Sequence, residues 1–79
     1  MILILAENEI SATLCAMAHG LKIGQFEYIK NHHQLSLLAE GRHVWAVFDY
    51  KDNPECLRII TELKRRKLKL VRPHKVKFS

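Results

Sequence analysis

Hydrophobic residues occur along this chain in short unbroken runs, separated by longer stretches in which they recur every three or four positions. Residues 1–5 and 44–48 form the clearest runs, and most of their side chains are aliphatic or aromatic. Such runs are typical of strands that are buried on both faces of a parallel sheet. Shorter runs within 23–29 and at 68–71 predict two further strands. The pattern therefore predicts four strands, with the run at 44–48 in the centre of the sheet.

The stretch between the first two runs predicts an amphipathic helix. Asn8 can accept hydrogen bonds as its N-cap, and Gly20 can adopt the left-handed conformation that ends it. Apolar residues recur between them at helical spacing, so we expect one stripe of the helix to face the core. The stripe consists of Ile10, Leu14, Met17, Ala18 and Leu21.

Two further helices are predicted later in the chain. Asn31 can cap a short helix over residues 32–40. Asn53-Pro54, a capping residue followed by proline, predicts a third helix that runs to about Lys67. Their expected inward residues are Leu35, Leu38 and Ala39 in the second helix, and Cys56, Leu57, Ile59, Ile60 and Leu63 in the third.

Strands and helices thus alternate in the order β-α-β-α-β-α-β. Because crossovers between parallel strands are right-handed, this alternation predicts a small three-layer, Rossmann-like α/β domain. We expect a four-stranded, mostly parallel sheet of order 2-1-3-4 with helices on both faces. Residues 1–72 make up the single domain, and residues 73–79 form a basic tail. Open edges on the outer strands of so small a sheet favour a homodimer.

Charge divides the chain into two unequal parts. The formal net charge is +5, but residues 1–57 contain four basic and seven acidic side chains, whereas residues 58–79 contain nine basic and one acidic. A basic end of this kind favours contact with nucleic acid or with an acidic protein surface, and a solvated helix end is the simpler alternative. Its clustered cations are Lys64, Arg65, Arg66, Lys67, Lys69, Arg72, Lys75 and Lys77.

Several classes of function find no support in the sequence. The first strand-to-helix turn, residues 6–9, contains two glutamates and no glycine, which argues against dinucleotide binding there. Cys15 and Cys56 lack the spacing of a zinc site, and we expect free thiols in a cytoplasmic protein. The sequence has no signal-peptide pattern and no apolar run of membrane length.

Three carboxylates follow strands that the predicted order makes neighbours. Glu7 follows the first strand, and Asp49 and Asp52 follow the third, so we expect all three at the carboxyl edge of the sheet. Converging carboxylates can hold Mg²⁺ through their oxygen atoms. The simpler interpretation is that these acids lie at helix N-termini and in solvated turns.

The segments LILAENEISATL and VWAVFDYKDNPECL resemble a reduced Toprim domain, the metal-binding module of topoisomerases, primases and related nucleases. In that family a glutamate ends the first strand and a DxD pair ends a later one. The resemblance implies Mg²⁺-dependent phosphoryl transfer, with Glu7 as general acid/base and Asp49 as metal ligand. The aspartates are spaced DxxD here, so Asp52 has no matching position in the family pattern.

The sequence alone favours a small non-enzymatic accessory or regulatory protein, of a kind found in phages and plasmids, that contacts nucleic acid through its basic C-terminal end. Two alternatives stay open. One is a protein-binding module or inhibitor that uses the same basic residues. The other is the Mg²⁺-dependent enzyme, in which Glu7, Asp49 and Asp52 would carry the chemistry.

Overall fold

The computed structural model describes residues 2–37 and 42–72, and within them the chain forms a four-stranded sheet. The strands are β1 (Ile2–Leu5), β2 (Phe26–Tyr28), β3 (His43–Ala46) and β4 (Lys69–Val71). All neighbouring strands are parallel, and their order is β2-β1-β3-β4. The predicted fold class and strand order are therefore confirmed. The connecting segments are α1 (Glu9–Ala18), α2 (Cys56–Arg65) and two 3-10 helices, His32–Leu37 and Tyr50–Asp52.

The second predicted helix is a 3-10 helix over its described part, His32–Leu37. Its Leu35 is fully buried, as expected. Within 2–37 and 42–72, no helix is both long enough and apolar enough to cross a lipid bilayer. Predictions that lie outside the described residues concern Leu38, Ala39 and the tail at 73–79, which includes Lys75 and Lys77.

β1 is an inner strand that is buried on both faces. Its Ile4 lies beside Tyr28 of β2 and beside Trp45 of β3. Ile4 and Leu5 are both fully buried, although their side chains point to opposite faces of the sheet. This two-sided burial explains why the run contains no polar residue.

The side chains of the sheet divide the core into two layers. Leu3 and Leu5 of β1 contact the cluster that includes α2 and the first 3-10 helix, whereas Ile4 and Ala6 contact the cluster that includes α1. Helices therefore cover both faces of the sheet, as predicted. The larger cluster contains Leu3, Leu5, Ile29, Leu35, Val44, Ile59, Leu63 and Leu68.

The predicted inward stripe of α1 is wrong except for Leu21, which packs against the cluster that contains Ala12 and Ala16. Ile10, Leu14 and Met17 are 72%, 65% and 63% exposed, while Ala12 and Ala16 are fully buried. Two alanines allow the helix backbone to lie close to the sheet, where longer side chains would not fit. Because α1 carries apolar residues on more than one side, periodicity did not decide which stripe turns inward.

Two other large apolar residues are exposed against expectation. Leu57 on α2 is 83% exposed, whereas Leu63 on the same helix is buried. Phe48 is 86% exposed because β3 ends at Ala46 and the chain then turns into the Tyr50–Asp52 helix. The apolar run at 44–48 is therefore an inner strand followed by a surface aromatic residue.

α2 ends in a turn that sets the direction of β4. Lys67 adopts a left-handed conformation, with φ of 55°, and its N–H donates to the carbonyl of Lys64 over 3.2 Å. The N–H of Leu68 donates to the carbonyl of Leu63 over 2.9 Å, which completes a Schellman motif. Leu63 and Leu68 lie in the same buried cluster, so the helix stops at Arg65 and its cations remain at the surface.

Asn53 joins three segments at the carboxyl edge of the sheet. Among the described residues it is the one polar side chain that is buried, at 5% exposure. Its amide nitrogen donates to the carbonyl of Ala6 over 2.7 Å and to the Tyr28 hydroxyl over 3.1 Å. Its amide oxygen accepts from the N–H of Glu55 over 2.8 Å. One side chain thus links the ends of β1 and β2 to the start of α2.

Replacement of Asn53 by alanine should destabilise the fold by about 2–3 kcal/mol, because it leaves a buried carbonyl and a backbone N–H without partners. Asn31→Ala is the matched control, since Asn31 also accepts a backbone hydrogen bond but is exposed. Its expected cost is about 1 kcal/mol or less. Urea unfolding followed by circular dichroism measures both. Equal losses in the two variants would contradict the role given to Asn53.

Candidate functional site

Asp49 connects the end of β3 to the start of α1. One carboxylate oxygen accepts from the backbone N–H of Glu7 over 3.1 Å. The other accepts from the Ser11 hydroxyl over 2.6 Å. The carboxylate lies beside the N-terminus of α1, where the helix dipole favours negative charge. Asn8 caps the same helix by accepting from the N–H of Ser11 over 2.9 Å.

The structure brings Glu7 and Asp49 together but does not group them with Asp52. Asp52 lies in the Tyr50–Asp52 helix and is exposed, as is Glu7. Across the described ranges, no three acidic, histidine or cysteine side chains form a group that could hold a metal ion. Both oxygens of Asp49 already accept hydrogen bonds from protein donors. The contacts of Asp49 support the helix-terminus interpretation of this carboxylate.

Cys15 and Tyr28 lie near this edge, and the pKa of each side chain is raised. Burial raises the pKa of the Cys15 thiol, and the negative charge of Asp49 raises it further. Burial also raises the pKa of the Tyr28 hydroxyl, although the hydrogen bond from Asn53 opposes that effect. A raised pKa keeps a thiol protonated, whereas a nucleophilic cysteine needs a lowered one.

The described basic residues from Lys64 to Arg72 lie at two edges of the sheet. Lys64–Lys67 end α2, and Lys69 begins β4 at the amino edge. Arg72 follows β4 at the opposite, carboxyl edge, where it lies in a groove with Glu7 and Asp49. The described members of the predicted cluster therefore do not form a single surface. β4 runs from the amino edge to the carboxyl edge and separates Arg72 from the others.

Arg42 joins the basic residues at the amino edge, and the sequence prediction omitted it. Its carbonyl accepts from the N–H of Lys69 over 3.0 Å, so the residue precedes β3 where β4 also begins. Arg42 lies in the acidic part of the sequence, so the charge pattern alone did not group it with the C-terminal cations. The predicted strand order makes the third and fourth strands neighbours, and this adjacency could have placed Arg42 beside Lys69. We call the following set the basic patch: Arg42, Lys64, Arg65, Arg66, Lys67 and Lys69.

Glu62 is the acidic partner of two members of the basic patch. Its carboxylate accepts from Arg65 Nε and Nη2 over 2.9 and 3.2 Å, and from Arg66 Nε over 2.9 Å. These hydrogen bonds and charges lower the pKa of Glu62 from 4.5 to about 2. Lys64 and Arg42 are exposed and form no ion pair with any described acid, so their charges remain available to a partner.

A groove of about 630 Å³ lies between α1 and the end of β3. Its floor and walls are mostly apolar, with Glu7, Asp49 and Arg72 at its polar end. α2 and the 3-10 helices pack on the opposite face of the sheet, so α1 is the only described helix on this face. We call this feature the α1 groove, and its apolar lining includes Ile10, Leu14, Val47 and Phe48.

Known proteins give no further guide to this site. No protein-family model, curated protein or solved structure matches the chain. The fold and the side-chain geometry therefore define the class, a small parallel α/β domain with a basic amino edge and an apolar groove.

Glu62 should make stability depend on acid pH. Because its pKa is lower in the folded chain, the carboxylate stabilises the fold above pH 4.5, and this contribution is lost as the pH falls from 4.5 towards about 2. Glu62→Gln should flatten this part of the stability profile, and Glu27→Gln, at an exposed position on β2, is the control. An NMR titration that returned a Glu62 pKa near 4.5 would contradict the ion-pair geometry.

A Mg²⁺ titration tests the carboxyl edge directly. Because protein donors occupy both oxygens of Asp49, we expect no saturable amide shifts at Glu7, Asp49 or Asp52 up to about 10 mM Mg²⁺. Backbone ¹H–¹⁵N NMR spectra measure these shifts, and Ca²⁺ at the same ionic strength is the control. Saturable, Mg²⁺-selective shifts at these three residues would instead support the Toprim-like alternative.

Proposed function

We propose that this chain is a small non-enzymatic accessory protein whose basic patch contacts the phosphate backbone of nucleic acid. The observation that carries the proposal is the convergence of two segments at one edge of the sheet. Arg42 comes from the segment before β3, and the other cations come from the end of α2 and the start of β4. Cations from separate segments can follow successive phosphates better than the end of one helix can.

The composition of the basic patch favours a contact that does not depend on base sequence. Phosphate contacts by lysine and arginine supply affinity to any sequence. Stacking platforms for single strands need exposed aromatic residues, and the members of the basic patch are all lysine or arginine. Arg65 and Arg66 are held by Glu62, so their guanidinium groups are already oriented at the surface.

An acidic protein surface is the alternative partner for the same basic patch, either as a binding module or as an inhibitor. The Mg²⁺-dependent enzyme has less support, because the contacts of Asp49 are those of a structural carboxylate. A cytoplasmic location belongs to the proposal and is supported by the free thiols of Cys15 and Cys56.

Charge reversal at the basic patch tests the proposal. For contacts with about four phosphates, affinity should fall roughly 100-fold for duplex DNA and about 50-fold for single-stranded RNA between about 50 and 200 mM salt. Arg42→Glu/Lys64→Glu should abolish most of this binding and flatten the salt dependence. Fluorescence anisotropy with labelled oligonucleotides measures both effects.

Lys30→Glu/Lys51→Glu is the matched control, because it changes the net charge equally at exposed positions after β2 and β3. This variant should keep most of the affinity. Equal losses in both double variants would mean that net charge, rather than the basic patch, governs binding. Absence of binding to either probe at about 50 mM salt would refute the nucleic-acid proposal and favour an acidic protein partner.

A further inference from the structure

Six large apolar side chains are exposed among the described residues, and four of them lie on α1 or across the α1 groove from it, whereas Ile23 and Leu57 lie elsewhere. Ile10, Leu14 and Met17 form a continuous stripe along α1, since they are spaced four and three residues apart. Phe48, which is 86% exposed, lies across the α1 groove from this stripe. Contiguous apolar patches of this size on a soluble domain mark an interaction surface.

Residues 2–37 and 42–72 leave room for a second helix on this face of the sheet. α1 packs against β1 and β2 through Ala12 and Ala16, and beside it no other described helix lies over β3 and β4. Leu70 of β4 packs on the α2 side, so the neighbouring side chains of Lys69 and Val71 point towards the α1 side. A helix from outside would therefore rest on β3 and β4, with α1 on its flank.

We propose that the α1 groove binds α1 of a second copy of this chain, which forms a two-fold symmetric dimer with the two helices antiparallel. In this arrangement Leu14 lies near the axis and meets Leu14 of the second copy, while Ile10 faces Met17. The contact is isologous, because each copy contributes the same stripe and the same groove.

The positions of Glu9 and Lys69 favour the antiparallel orientation. α1 runs from the carboxyl edge of the sheet to its amino edge, because it connects the end of β1 to the start of β2. Its first residue, Glu9, therefore lies at the opposite edge from Lys69, which begins β4 and is exposed on the α1 side. In an antiparallel pair Glu9 of each copy approaches Lys69 of the other, whereas a parallel pair brings the two Glu9 side chains together.

The exposed area is sufficient for a dimer. With about 200 Å² for each fully exposed side chain, Ile10, Leu14, Met17 and Phe48 together present roughly 600 Å². A standard interface buries about 800 Å² per partner, of which about 65% is apolar in homodimers. These four side chains thus provide the apolar part of such an interface. The outer strands β2 and β4, with three residues each, offer far less for edge-to-edge pairing.

Sedimentation equilibrium over roughly 5–500 µM tests the dimer, with the expected mass rising to twice the 9.2 kDa of the chain. Leu14→Glu should weaken association at least about tenfold, because it places two carboxylates at the axis. Leu57→Glu is the matched control, since Leu57 is also exposed but lies on α2, on the opposite face. Met17→Glu replaces Leu14→Glu if circular dichroism shows that the latter does not fold.

A charge swap separates the antiparallel dimer from other assemblies. Glu9→Lys should weaken association, and Glu9→Lys/Lys69→Glu should restore it. If Leu14→Glu does not weaken association, the dimer assembles through its strand edges. If Leu57→Glu weakens association as much as Leu14→Glu does, the dimer uses another face. Either result overturns the proposal. A mass that stays at 9.2 kDa over the whole concentration range would also overturn the proposal, and a different protein would then be the candidate ligand of the α1 groove. None of these results depends on nucleic-acid binding.

Discussion

The handedness of the strand crossovers determines most of this structure. From β1 the chain moves to β2 on one side of the sheet, and afterwards it moves in the other direction to β3 and β4. Right-handed crossovers then place α1 on one face and both later connections on the other. One face therefore carries α2 and a 3-10 helix, while the other carries α1 alone and keeps an apolar groove beside it.

The parallel sheet also separates charge by edge. Segments that follow strands lie at the carboxyl edge, and these contain Glu7, Asp49 and Asp52. Segments that precede strands lie at the amino edge, and these contain Arg42 and the end of α2. The charge contrast between the two halves of the sequence thus becomes a contrast between two edges. Arg42 and Arg72 each lie at the edge that their position along the chain did not suggest.

The carboxyl edge illustrates how a site can resemble a catalytic one and still be structural. Asp49 and Asn53 use their polar atoms to hold backbone and side-chain groups of β1, β2, α1 and α2. These bonds hold the ends of β1, β2 and β3 together, which stabilises a chain of 79 residues with a small core. The described surfaces that remain available to partners are the basic patch and the α1 groove.

The sequence by itself determined the number of strands, their order and the two-sided burial of β1, because unbroken apolar runs and short connections permit few other arrangements. It also located the basic C-terminal residues and the N-cap at Asn8, whereas the helix predicted to start at Asn53-Pro54 begins at Cys56. Only the tertiary structure decided that α1 packs through Ala12 and Ala16 rather than through Leu14, because an apolar residue on either side of a helix satisfies the same period. The contacts of Asp49, the pairing of Glu62 with two arginines and the position of Arg42 likewise depend on residues distant in sequence. These contacts arise because the sheet brings distant segments together. Hydrophobic periodicity describes only residues that are close in sequence, so it cannot predict them.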